Sequence, residues 1–183
     1  AVQKIKISGA DVYPIIEGGK GVGVSNGRTA GAFAAAGAVG TFSGTYPNLC
    51  WESVDQPSVR RSEKTRQKRS KRLINDAIQE SIEQARIAHE VSGGHGRIHM
   101  NILWGLAGAE TMIDGILNGT KGMIHGITCG AGMPYKLAEF AQRYKVYFYP
   151  IISSMRAFSI LWTRSYHRVS DLLGGVVYED PWK

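Results

Sequence analysis

The sequence predicts an α/β protein made of repeated parallel βα units, and three observations carry that expectation. Short β-branched runs alternate with stretches of helical periodicity. The runs recur at a nearly constant interval. The chain, 183 residues of which 43% are hydrophobic, is long and apolar enough for a single domain, residues 1–183, with a sizeable core.

Six runs read as strands: 13–17, 38–43, 98–103, 123–128, 146–152 and 173–178. Between them, apolar residues fall on single helical faces. These are Ile74, Ile78, Ile82 and Ala85; Met112, Ile113, Ile116 and Leu117; Leu137, Phe140, Ala141 and Tyr144; and finally Met155, Phe158, Trp162, Tyr166 and Val169. Strand, helix, strand in repetition means parallel units with crossover helices. Strand starts lie 25, 60, 25, 23 and 27 residues apart. The long second interval therefore holds an insertion, a basic helical segment within 52–92.

Two architectures accept such units, an open doubly wound parallel sheet or a closed eightfold barrel. Length alone suits the open sheet. Its nucleotide-binding fingerprint should follow the first strand, where "GGKGVGVSNG" has the right character but the wrong spacing. The phosphate-loop pattern ending in Gly-Lys-Ser/Thr is absent as well. A barrel needs eight units, so on that reading the chain holds about six of them.

Charge is concentrated rather than spread. The formal net charge is +7, and the run 60–72, "RRSEKTRQKRSKR", holds eight of the 22 basic and one of the 15 acidic residues, leaving 14 of each elsewhere. No aromatic side chain interrupts the run to stack on bases, so a solvated face is the preferred reading and a nucleic-acid site the alternative. Cys50 and Cys129 lie far apart without metal-ligand spacing, and the expected setting is cytoplasmic, with reduced thiols. The amino end has no apolar stretch of signal-peptide length. The uncharged stretch 29–51 is rich in Ala, Gly, Ser and Thr and contains Pro47, so no membrane span is expected.

Several stretches, "YPIIEGGKGVGVSNGRTAGAFAAAGAVGTFSG", "IHMNILWG", "HGITCGAGMPYKLAEFA", "VYFYPIISS" and "LLGGVVYEDPW", come in an order that resembles the nitronate monooxygenase family, formerly 2-nitropropane dioxygenases. These are FMN-dependent barrel enzymes that include the flavin enoyl reductase of bacterial fatty-acid synthesis. The resemblance implies an incomplete (β/α)8 TIM-type barrel. It also implies an FMN-dependent oxidoreductase that oxidises alkyl nitronates with oxygen. In relatives, a Gly-Gly-His motif carrying the usual catalytic base follows the run resembling "GGVVYEDPW"; here the sequence stops first, so no catalytic residue is assigned. The chain alone is expected to be incomplete and inactive, and to associate with a further carboxyl-terminal segment or a second copy, because an unfinished ring exposes two strand edges.

The resemblance implies a cofactor site of Gly18, Gly19, Lys20, Gly21, Asn101, Gly130, Ala131, Gly132, Ser153, Ser154 and Glu179. Glycine lets backbone approach a flat ring closely. Lys20 stands where many relatives have methionine; its ammonium would favour a reduced, anionic flavin. Asn101, in an otherwise apolar strand, must find hydrogen bonds, and by resemblance meets the flavin. Ser153 and Ser154 would donate to the cofactor, and Glu179 would bond the flavin or its ribityl chain. Cys129 is read as a small buried residue. His95, in "SGGHG", precedes a strand and belongs on the non-catalytic face. His89, His99, His125 and His167 lack metal spacing and are read as structural. Alternatives are an enoyl-thioester reductase using a nicotinamide, a non-catalytic remnant, or a nucleic-acid-binding protein using the basic run.

Overall fold

Parallel segments lie side by side in the order in which they occur along the chain. The structure, a computed structural model, describes residues 2–20, 23–45 and 63–179, with the side chains of 63–66 left aside. Its main sheet has the order β3 (Val39–Ser43), β4 (Arg97–Leu103), β5 (Gly126–Gly130), β6 (Tyr147–Ile152) and β7 (Val177–Tyr178), every neighbour parallel. Ahead of β3, Ile16 forms an isolated parallel bridge to Val39. An order without reversal has no switch point at which a doubly wound sheet would turn back. The chain is an incomplete barrel, a curled parallel half-ring with its helices outside.

The strands are buried on both faces, as the alternation of two cores shows. Phe42, Ile98, Met100, Ile102, Ile127, Cys129 and Phe148 pack under the helices, whereas Val39 and Tyr149 join Ile7 and Val12 in a second cluster on the inner face. The helical layer comprises α1 (Gly27–Ala35), α2 (Glu63–Ser92), α3 (Ala109–Thr120), α4 (Leu137–Tyr144) and α5 (Met155–Arg164). Asn26 caps α1, accepting from the backbone of Arg28 and Thr29 while the Thr29 side chain accepts from the Asn26 N–H. Ile74, Ile78 and Ile82 of α2 sit against Gly108, Gly115 and Gly119, where an added Cβ would come within 2.4, 2.8 and 2.3 Å of the isoleucine methyls. That close approach is why glycine recurs along α3 despite its cost in a helix. Met112, Ile113 and Ile116 are fully buried beneath, each burial contributing roughly 1.5–3 kcal/mol.

The expected strands 123–128 and 173–178 are observed as Gly126–Gly130 and, apart from an isolated bridge at Leu173, as Val177–Tyr178, and three further features differ from expectation. The first strand is shorter than 13–17, because Pro14 brings no N–H to the ladder; the Tyr13, Val39 and Glu17 amides still bond across to Gly37, Ile15 and Val39. An unexpected antiparallel hairpin, β1 (Ile5–Ile7) and β2 (Ala10–Val12), precedes it. Its two-residue turn holds Ser8 at φ +46° and Gly9 at φ +79°, the positive φ at both central residues that a type I′ turn requires. The last predicted helical face also divides. α5 ends at Arg164 and a 3-10 helix, Tyr166–Leu172, takes over; Tyr166 and Val169 are buried, but Met155 is 75% and Trp162 38% exposed, with Leu161 filling the core instead. No described element packs across Met155 and Trp162.

Segment 52–92 is described from Glu63 onward, all of it α2. Among the described residues no helix is long and apolar enough to cross a membrane.

Candidate functional site

In a ring of parallel strands the loops after the strands gather at one rim, the usual seat of chemistry. The structure brings part of the predicted set together there. Gly18 and Gly19 follow the first strand segment, and an added Cβ at Gly19 would lie 2.2 Å from the Asn101 Cβ. The glycine backbone thus lies directly over the Asn101 side chain, which is only 4% exposed on the inner face of β4. At Gly18 the same construction meets nothing within 4 Å. Lys20 is exposed, and Gly21 lies outside the described residues.

Hydrogen bonds stitch this rim. Asn101 Oδ1 accepts from the Thr128 hydroxyl at 3.0 Å, which leaves Nδ2 as a donor with no acceptor among the described residues. The Ser25 hydroxyl accepts from the Lys20 amide at 3.0 Å and donates to the Gly18 carbonyl at 3.2 Å. Its own carbonyl accepts from Ser43 N. Ser25, 2% exposed, therefore ties the glycine loop to the end of β3. Sequence reasoning missed it, although its place just before the Asn26 cap was a usable signal. Trp104 and Gly105 donate their amides to Gly130 and Ala131. Gly132 is at φ +146° and Ala131 at φ +55°, the first a conformation nearly restricted to glycine.

The remaining predicted residues are spread along the rim. Ser153 is exposed, and Ser154 caps α5, its hydroxyl oxygen accepting from Ala157 N at 3.2 Å. Glu179 is exposed, and its amide donates to Ile152 O at 2.9 Å. Cys129 points into the helix-side core, where burial pushes its thiol up to about 12. A thiol held protonated is no nucleophile, in keeping with its reading as a packing residue. Cys50 lies outside the described residues.

The opposite end of the strands carries a polar cluster that the sequence did not announce. Ser8, in the hairpin turn, places its Oγ 2.8 Å from His99 Nε2 and 2.8 Å from the Tyr149 hydroxyl, and its carbonyl accepts from Arg97 Nε at 2.9 Å. The His99 and Tyr149 ring centroids lie 4.7 Å apart, the rings tilted by 34°. Burial, and then the neighbouring His125 and Arg97 charges, hold His99 neutral, its pKa down at about 3. His99 Nδ1 and Thr41 Oγ1, on residues paired in register, are buried without hydrogen-bond partners among the described residues. His125, lowered to about 4 chiefly by burial, accepts from Ile98 N through Nδ1. His95 is exposed ahead of β4, at this same end. Among the described residues no group of three or more potential ligands could hold a metal. A cleft of about 290 Å³ between the ends of α3 and α4, lined by Lys121, Ile124, Tyr144 and Val146, also opens at this end, away from the glycine rim.

Comparison with solved structures finds a likeness to FabK from Thermotoga maritima, with a TM-score of 0.57 and 14% identity. It covers 90% of this chain but 40% of that one, so the present chain spans about two-fifths of that protein's length. At this identity the likeness concerns the fold. No protein-family description and no curated protein matches the sequence.

Proposed function

We propose that the rim formed by Gly18, Gly19, Asn101 and Gly130–Gly132 is the flavin-ring end of an FMN-dependent oxidoreductase site of the nitronate monooxygenase type. The observation that carries this reading is the bare glycine backbone, Gly19 lying over Asn101 and a Cβ added at Gly18 meeting nothing within 4 Å, with the Asn101 Nδ2 lacking an acceptor among the described residues. The residues present fit the ring. Gly18, Gly19 and Gly132 offer flat backbone, Asn101 Nδ2 offers a donor, and Lys20 offers a positive charge near the loop. When bound, FMN would supply two-electron chemistry with an alkyl nitronate as donor and oxygen as acceptor. The protein's own part is to hold the ring edge through Asn101, fixed by Thr128, and to keep the loop closed through Ser25. Lys20 stabilises negative charge that develops nearby. The fold likeness and the motif order support the reading.

Equilibrium titration of the chain with FMN, followed by flavin fluorescence, tests it. Quenching that saturates, and weakens about tenfold in Asn101→Ala, is the expected outcome; no saturable binding by any oligomer of the chain sinks the reading. Anaerobic bleaching by an alkyl nitronate favours nitronate oxidation. Bleaching by a nicotinamide alone favours the enoyl-thioester reductase alternative.

Exposed edges of the same half-ring support a reading of the partner. Val177 and Tyr178 on the last strand, Ile15 and Ile16 on the first, and Met155 and Trp162 on α5 are all exposed. An apolar groove of about 330 Å³ runs along α5 past Phe158. Strand edges flanked by apolar side chains favour pairing, and we assign them to further parallel βα units, supplied by a continuing segment or by a second copy. A monodisperse monomer that retains yellow cofactor in size-exclusion light scattering contradicts this assignment.

A further inference from the structure

The helix α2 is much longer than its neighbours, 30 residues against 12 or fewer for the other four, and its excess lies at one end. Ile74 meets Gly108, at the start of α3, and Ile82 meets Gly119, near its close, so the two helices run parallel and in step. The ten residues of α2 before Leu73 therefore project roughly 15 Å beyond the start of α3, on the same side as the glycine rim. Residues 67–72 are exposed at every position, so this part of the helix has no buried face. Lys68, Arg69, Lys71 and Arg72 occupy it. No acid occurs from residue 64 to residue 75.

Such a segment is poorly supported by its own contacts. A helix polar all round needs side-chain ion pairs or a partner, and among the described residues Arg72 alone of the four has a carboxylate neighbour, Asp76 at 3.7 Å. Lys68 faces Lys71 and Arg72 at the spacings of three and four that bring like charges together, and Arg69 faces Arg72 in the same way. A polyanion laid along the arm would remove that repulsion.

The composition selects among polyanions. From Glu63 to Arg72 there is no apolar residue, whereas a protein interface needs buried anchors and a helix lying on a membrane needs an apolar face. The arm has no aromatic side chain for stacking on unpaired bases. Neutralising phosphates along a duplex backbone needs neither. We propose that the protruding turns of α2, through Lys68, Arg69, Lys71 and Arg72, are an arm that binds the phosphate backbone of double-stranded nucleic acid without regard to sequence. The arm shares no residue with the rim, so this inference is independent of the flavin reading.

Fluorescence anisotropy of the full chain with labelled 24-base-pair DNA duplexes of two unrelated sequences, at 50 and 200 mM KCl, tests it. Binding should be equal for the two sequences within about threefold and should weaken steeply with salt. The log–log slope should flatten by about 0.9 for each phosphate contact removed. The variant Lys68→Gln/Arg69→Gln/Lys71→Gln/Arg72→Gln, whose far-ultraviolet circular dichroism and thermal midpoint report its folding, should bind at least about tenfold more weakly at 50 mM KCl. Absence of binding at 50 mM KCl overturns the proposal, as does binding unchanged in the folded variant. So does arm-dependent capture of anionic lipid vesicles or of polyglutamate with no capture of duplex.

Discussion

At the amino-terminal end of the strands, Ser8, Arg97, His99 and Tyr149 are bound up with one another under a hairpin that fills the half-ring. At the carboxyl-terminal end, Gly18 and Gly132 present bare backbone, and Asn101 Nδ2 has no acceptor among the described residues. Both ends contain polar side chains on the same inner face of the same strands. One end spends most of them in the fold, His99 Nδ1 and Thr41 Oγ1 apart, and is therefore a stability device. The other leaves capacity unspent, which is what a ligand requires. The difference also explains why a serine lying 2.8 Å from a histidine is not a nucleophile here: the Ser8 hydroxyl is shared with Tyr149 and is covered on all sides.

Acid should break the lower end first and most severely. His99 is neutral in the fold, with a pKa of about 3, against about 6.5 when unfolded. Lowering the pH through 6.5 protonates the unfolded chain before the folded one, so stability is full above pH 6.5 and falls until about pH 3. From His99 alone the loss at pH 5 is about 2 kcal/mol, approaching about 5 kcal/mol at the acid limit. His125, lowered to about 4, acts in the same direction. Urea denaturation at pH 7.5, 6 and 5 measures the slope, and His99→Gln should remove about half of it, the remainder belonging to His125. A stability that does not change between pH 7.5 and 5 would show that this cluster is open to water.

Deleting the hydroxyl at the centre of the cluster comes next in size. Ser8→Ala leaves His99 Nε2 unpaired in a buried site and the Tyr149 hydroxyl with only the residue-8 amide as partner, at a cost of about 1–3 kcal/mol. Alanine also bears the strain of φ +46°. Ser8→Gly loses the same hydrogen bonds but relieves the backbone, so it should be the milder change. If thermal midpoints rank alanine above glycine, the positive φ is not a constraint on the folded turn.

The parallel units were legible because each rests on local periodicity. Met112, Ile113, Ile116 and Leu117 share a helical face wherever that helix packs, and all are buried in α3. The face running from Met155 to Val169 was misjudged for the complementary reason, that periodicity reports what could be buried and not what covers it. The open sheet and the barrel share the same units. Only the order of pairing, a long-range property, distinguishes them, and motif resemblance supplied it in advance. Among the site residues, the pairing of Gly19 with Asn101 came from motifs 82 positions apart in sequence, whereas Ser8, His99 and Tyr149 carry no spacing signal, since hairpin, β4 and β6 meet only in three dimensions.

The smallest expected change in stability separates packing from binding at the upper end. Gly19 and Gly18 are adjacent glycines with different reasons for being so. An alanine at Gly19 must displace Asn101, because its Cβ would lie 2.2 Å from the asparagine Cβ; the exposed loop can yield, at about 1 kcal/mol. An alanine at Gly18 touches nothing within 4 Å and should leave the thermal midpoint unchanged to within the equivalent of about 0.5 kcal/mol. Its methyl would nevertheless stand in the space assigned to the flavin ring, so Gly18→Ala should weaken FMN binding about tenfold. The paired measurement, midpoint against fluorescence titration for both variants, isolates ligand space from packing. Equal FMN affinity in Gly18→Ala and the unaltered chain would mean that the space above Gly18 holds no ring, and the rim would then differ from the lower end only in being exposed.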